Sequence, residues 1–111
     1  MEHDARLDDL LNHIQQRWGT NALRPLRTVT AARPPVSTGF PALDSLLGGG
    51  VPGGQVTELL GRPTSGVTTL AYSILARGQS DTAYGIAVDL TSTFDPDYAS
   101  QCGVRLDRLF L

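Results

Sequence analysis

Apolar residues near the start of the chain recur at helical spacing. Leu7, Leu10, Leu11, Ile14 and Trp18 fall at i, i+3, i+4, i+7 and i+11, which draws one stripe down an amphipathic helix over 4–18. Asp4, Asp8 and Asp9 stand near its positive end and Arg17 near its negative end, with Gly19 as a stop. A proline-containing stretch, Asn21 to Pro35, separates this helix from the rest of the chain. The stripe has two readings: a face lying on the helix's own domain, or an arm that docks on another subunit.

From Val36 the pattern changes. Phe40 to Leu47 reads as a short helix, closed by Gly48-Gly49-Gly50 and the turn Pro52-Gly53-Gly54. Gln55 to Leu60 is a strand candidate that runs into Gly61-Arg62-Pro63-Thr64-Ser65-Gly66. A helix is predicted from Val67 to Arg77, with Leu70, Ala71, Ile74 and Leu75 on its buried side and Gly78 as its stop. Ala83 to Val88 is a nearly continuous apolar run, as in a strand covered on both faces, and Asp89 closes it. Asp95-Pro96 opens a helix over 96–102, Gly103 ends it, and Arg108-Leu109-Phe110-Leu111 begins a third strand. The order is a helix followed by βαβαβ, an α/β fold with a parallel sheet.

Composition narrows the function. With 111 residues, 41% hydrophobic and 18% charged, the chain has room for one domain or part of one. A net charge of -2 gives no global positive field to draw it to nucleic acid, so any DNA contact is local or passes through a partner. All nine basic residues are arginines, which excludes chemistry that needs a lysine from this chain. The single cysteine, Cys102, excludes an internal disulfide and a Cys-rich metal cage, and it reads as a small hydrophobe rather than the nucleophile of a Cys–His pair. No run approaches the ~18 apolar residues of a membrane span, and the acidic N-terminus is unlike a signal peptide. The expected location is the cytoplasm.

The pattern Gly-x-x-x-x-Gly-Lys-(Ser/Thr) between a strand and a helix is the phosphate loop: backbone N–H groups turn onto phosphates, the lysine reaches the β/γ-phosphates and the hydroxyl holds Mg²⁺. Here Gly61, Gly66, Thr68 and Thr69 fit that pattern, while Val67 occupies the lysine position. Losing a charge-assisted hydrogen bond of roughly 1.5–3 kcal/mol weakens triphosphate binding by about 10- to 100-fold. Arg62, at the second loop position, has a different reach. The plain alternative is a glycine-rich β–α turn with no ligand.

Taken together, these segments resemble the RecA-like recombinases. Ser37-Thr38-Gly39-Phe40-Pro41-Ala42-Leu43-Asp44 and Leu46 to Gly54 look like the family's approach to its phosphate loop, and Gln55 to Leu60 like its first core strand. Asp89 to Pro96, then Asp97-Tyr98-Ala99 and Gly103-Val104, is similar to the family's DAExxxDPxYA…GV stretch. Leu7 to Leu26 resembles the N-terminal helix and its exit, so the likeness runs from about Leu7 to Leu111 and is thinnest between Arg27 and Pro35.

The resemblance implies an N-terminal helical docking arm over 1–26, a linker over 27–35 and a partial P-loop domain over 36–111. It implies nucleotide contacts at Gly61, Gly66, Thr68, Thr69, Asp95 and Tyr98, with Thr68 on the metal and Asp95 and Tyr98 against the adenine. It implies subunit contacts through Leu7, Leu10, Leu11, Ile14 and Trp18, because the family's N-terminal helix packs on the neighbouring subunit of a filament. Two departures qualify this. Val67 replaces the lysine, and Thr91 stands where the family has the glutamate that polarises the attacking water. Asp95 also reads as a helix N-cap before Pro96, and Tyr98 as a half-buried packing residue.

The expectation is therefore a catalytically degenerate RecA-like protein acting in DNA repair, recombination or damage-induced mutagenesis, with ImuA-type proteins as a precedent in kind. Its partners would be RecA-like subunits or other repair proteins, its DNA contact indirect, and its binding of ATP and Mg²⁺ weak at most. The alternative is an ATP-dependent recombinase of which this is an N-terminal piece, since the sequence does not reach the family's Walker B strand or DNA-binding loops. The Leu-Phe-Leu ending fits a strand edge covered by a partner or a fragment of a longer domain.

Overall fold

The structure, a computed structural model, describes residues 2–25 and 33–111. Two compact units are present, Met1–Ala31 and Ala32–Leu111. Most of the linker expected over 27–35 lies outside the described residues.

The first unit is built on helix α1, Glu2–Trp18, with Arg17 in its last turn. Gly19 N–H bonds Gln15 O and the Gln15 side-chain amide donates to Leu23 O, so the chain turns back at the helix exit. Leu10 and Trp18 are 61% and 71% exposed, and Leu11 and Ile14 are half-buried. Within its own unit the stripe is largely uncovered.

The second unit opens with an antiparallel bridge between Val36 and Val51 that brackets helix α2, Pro41–Leu46. Asp44 draws the intervening segment together. It accepts from Ser37 Oγ at 2.5 Å, Thr38 N–H at 2.8 Å and Thr38 Oγ1 at 2.6 Å. These donors hold its carboxyl below the usual carboxylate range, the Ser37 hydroxyl foremost. Thr38 is fully buried, and its carbonyl accepts from Ser73 Oγ on helix α3, Val67–Gly78. The Ser-Thr-Gly-Phe-Pro-Ala-Leu-Asp motif is therefore a polar clamp that fixes α2 to α3.

After α3 come strand β1, Gly85–Ile86, helix α4, Pro96–Gln101, a 3₁₀ turn at Leu106–Arg108 and strand β2, Leu109–Phe110. The two strands pair in parallel, Gly85 with Leu109 and Ile86 with Phe110, and Ala87 N–H bonds Phe110 O beyond them. Gly85 lets β1 approach α3, since a Cβ there would lie 2.8 Å from Leu75 Cδ1. Gln79 sets the entry to β2: its amide accepts from Arg105 N–H and donates to the carbonyls of Arg105 and Arg108. The core is Tyr72, Ala99 and Val104, packed by Leu75, Ala76, Phe94, Cys102 and Leu109. Cys102 thus serves as a small packing residue.

The parallel α/β architecture is as expected, with two differences. The segment expected as the first strand, Gln55–Leu60, is not part of the sheet, and among the described residues no backbone hydrogen bond joins it to another segment. Val56 is 100% exposed, while Leu59 and Thr57 line an apolar cavity with Ala71, Ile74 and Leu75 of α3. An alternating sequence makes a chain extend, but a ladder needs a neighbour 4.7–4.9 Å away, roughly, on its hydrogen-bonding side. The expected buried stripe of α3 also shifts: Leu70, Ala71, Ile74 and Leu75 are half-buried, and Tyr72 is the helix's buried residue.

Candidate nucleotide site

Residues 61–69 turn from the extended segment into α3 and line an open cavity of about 520 Å³. Ser65 N–H bonds Arg62 O, Thr64 takes φ +66°, and Gly66 takes φ +92° at the helix N-cap. A left-handed N-cap suits glycine and points the chain sharply into the helix. The α3 ladder begins with Leu70 N–H on Gly66 O, so the N–H groups of Val67, Thr68 and Thr69 have no intrahelical acceptor. Among the described residues no side chain caps them. Three unpaired donors at a helix N-terminus, facing a concave loop, match the oxygens of a phosphate group.

Val67, at the position where the phosphate-loop pattern has a lysine, packs onto the start of the loop. Val67 is half-buried, and a Cβ on Gly61 would fall on Val67 Cγ2 and Ser65 Oγ. The valine's methyl group therefore lies over the first glycine of the loop. Arg62 is exposed and is the one cation within 61–69. Thr68 is exposed in the first helical turn, and among the described residues no cluster of three His, Cys, Asp or Glu side chains forms a separate metal site. The residues present fit phosphate through backbone donors and would hold Mg²⁺ through Thr68 alongside a bound nucleotide. Bound Mg²⁺ would supply neutralisation of phosphate charge.

The segment expected against the base is tied to the same helix. Asp95 caps α4 by accepting from Tyr98 N–H at 3.0 Å, and Pro96 takes the first helical position. The Tyr98 hydroxyl hydrogen-bonds the Thr69 hydroxyl at the start of α3. The structure thus brings Thr69 and Tyr98 together, while the Asp95 carboxylate spends one oxygen on its cap. Both the capping reading of Asp95 and the packing reading of Tyr98 describe real contacts.

Thr91 is exposed, with its hydroxyl directed to Asp89 Oδ1 at 3.5 Å and Thr93 Oγ1 at 2.9 Å. Asp89 also accepts from the N–H groups of Phe94 and Thr93, which hold its carboxyl below the usual range, Phe94 foremost. A threonine hydroxyl lacks the basicity to activate water. Gly61 and Gly66 lie in the turn before α3, Thr68 and Thr69 in the first turn of α3, Asp95 and Tyr98 at the start of α4, and Leu7, Leu10, Leu11, Ile14 and Trp18 on α1. What the sequence did not single out is Tyr72, whose hydroxyl accepts from Asp95 N–H at 3.2 Å and whose ring meets those of Phe94 and Tyr98 at 5.3 and 5.9 Å. Its spacing from Thr69 and Ala76, i+3 and then i+4 along one helix face, was the available signal.

Residues 5–111 match the family described as RecA N-terminal domain. The chain belongs to that family. It is 35% identical over 112 residues to Protein RecA of Aquifex aeolicus, covering 99% of this chain and 32% of the relative. It is 36% identical over 107 residues to Protein RecA of Aquifex pyrophilus, covering 95% and 31%. To Protein RecA of a Nostoc species it is 38% identical over 103 residues, covering 92% and 29%. The chain thus spans about a third of the length of these RecA relatives, along nearly its whole own length. Among the described residues no helix is long and apolar enough to cross a membrane.

Proposed function

We propose that this RecA-family chain is a catalytically degenerate, protein-binding member that acts in DNA repair, recombination or damage-induced mutagenesis and binds ATP only weakly. The observation that carries this is Val67: an apolar side chain lies over Gly61 where the phosphate-loop pattern places a cation. Backbone donors and the Asp95–Tyr98 segment remain for binding, but phosphoryl transfer depends mainly on electrostatic stabilisation at the γ-phosphate. Thr91 in place of a carboxylate supports the same reading. The exposed stripe of α1, through Leu7, Leu10 and Trp18, is the surface for a RecA-like subunit or another repair protein, with DNA reached through that partner.

The test is equilibrium binding of a fluorescent ATP analogue to the wild type and to Val67→Lys, with phosphate release followed in parallel. The expected result is weak binding by the wild type, about 10- to 100-fold tighter binding by the variant, and no turnover by either. ATP hydrolysis by the wild type at the rate of a working P-loop enzyme would overturn the proposal.

One observation favours a second reading, an N-terminal piece of an ATP-dependent recombinase. Ile86 and Phe110 in the paired strands, Val88 just beyond β1 and Val56 in the unpaired segment before the loop are mostly exposed, as apolar residues are when further core belongs against them. Hydrolysis stimulated by single-stranded DNA would support that reading.

A further inference from the structure

The base-side segment and the phosphate loop meet through α3, and the residue that joins them is one the family resemblance does not supply. Tyr72 lies one turn beyond Thr69 on α3 and is the helix's buried residue, 8% exposed. Its hydroxyl accepts the Asp95 N–H, the amide of the residue that caps α4. Its ring packs edge-on against Phe94 and obliquely against Tyr98. Tyr98 in turn reaches back to Thr69 with its hydroxyl. Thr69, Tyr72, Asp95 and Tyr98 thus form a closed set of contacts that fixes the tyrosine ring beside the loop.

From this arrangement we infer that Tyr72 is a positioning residue for nucleobase recognition: it holds the Asp95–Tyr98 turn so that Tyr98 is already in place when a nucleotide arrives. The inference rests on the nucleotide-binding reading above and deepens it. Removing the Tyr72 hydroxyl leaves the Asp95 N–H without its acceptor and frees the turn, while the backbone donors of 66–69 are untouched. The loss falls on the base and spares the phosphates. Ordering the recognition group before binding is worth affinity because less freedom is lost on association.

The experiment compares displacement of a fluorescent ATP analogue by ATP and by inorganic tripolyphosphate, in the wild type and in Tyr72→Phe, which keeps the ring and its packing. Amide hydrogen exchange at Asp95 is followed in the same samples. Tyr98→Phe, which keeps its ring and removes only the bond to Thr69, is the second variant. The expected result is that the wild type prefers ATP over tripolyphosphate. In Tyr72→Phe that preference falls about 3- to 10-fold, tripolyphosphate affinity is unchanged and the Asp95 amide exchanges faster. Tyr98→Phe should lose part of the same preference. An ATP preference retained in both variants overturns the positioning role and leaves the nucleotide reading intact. A wild type that binds neither ligand, or binds both equally, overturns the nucleotide reading and this role with it.

Discussion

Gly50 offers the sharpest test of how the segment that leads toward the 61–66 turn is held. Its φ is +141°, it is buried, and a Cβ there would fall on the Val36 carbonyl, 2.6 Å from the carbonyl carbon and 3.0 Å from Ser37 Cα. These are backbone atoms, so no side chain can swing aside. Gly50→Ala must either strain the backbone, at about 1–3 kcal/mol, or break the two hydrogen bonds that join Val36 and Val51, at about 1 kcal/mol each. With the Val36 carbonyl directly in its way the methyl group does both, for a loss of about 3–5 kcal/mol. The bridge anchors the Ser37–Thr38–Asp44 clamp, and Thr38 O takes the Ser73 hydroxyl. The damage therefore reaches α3. Gly48→Ala is the matched control: φ is +73° with nothing within 4 Å of its Cβ. Only the left-handed backbone is then strained, at about 1–2 kcal/mol. Urea unfolding followed by far-ultraviolet circular dichroism reads the difference. With a slope of about 2 kcal/mol per M, the midpoint should fall about 1.5–2.5 M for Gly50→Ala and about 0.5–1 M for Gly48→Ala. Equal shifts would refute the claim that the Val36 carbonyl decides the glycine.

Two further outcomes test other parts of the structure. Asp44 has its carboxyl held low by hydrogen bonds, so its contribution to stability is complete above the unfolded value of about 3.9 and is lost as pH falls through the folded value. Thermal unfolding between about pH 5 and pH 3 should therefore show a steeper loss in the wild type than in Asp44→Asn, and parallel curves would count against the clamp. On α1, Leu10→Ser combined with Trp18→Ser should weaken association in sedimentation while changing unfolding stability by about 0.5 kcal/mol or less, because both side chains are mostly exposed. A large stability loss would mean that the stripe is core rather than contact surface.

The helices were legible because their ends carry local chemistry. Asp95-Pro96 caps and starts α4, Gly66 turns the chain into α3, and Gly103 follows the end of α4 with φ +98°. The strands were legible only as extended segments. Ala83–Val88 and Arg108–Leu111 contribute two paired residues each, and Gln55–Leu60 contributes none, because pairing depends on a neighbour distant in sequence. The clamp hid behind the motif for a similar reason: Ser37 and Thr38 were visible as residues, but their convergence on Asp44 and on Ser73 of α3 was not. Tyr72 was missed because the aliphatic residues beside it suggested a different buried face, and its partner Asp95 lies 23 positions away.

The same contacts explain why the candidate site needs a ligand comparison and not only a motif. Gly66 is required by the turn into α3, Asp95 by the cap of α4, and Tyr98 by its packing on Tyr72. Each of these residues has a folding role that would persist if nucleotide never bound. Val67 and Thr91 differ: neither folding role requires a lysine or a carboxylate, so both positions accept an apolar or hydroxyl side chain at little structural cost. Chemistry can therefore be lost from this scaffold without the scaffold changing. Among the described residues the N–H groups of Val67, Thr68 and Thr69 have no acceptor, as at any uncapped helix start, so water or an anion can satisfy them and only ligand binding separates a retained pocket from a retained turn. ATP and tripolyphosphate offer those donors the same oxygens, and only ATP offers Tyr98 a base.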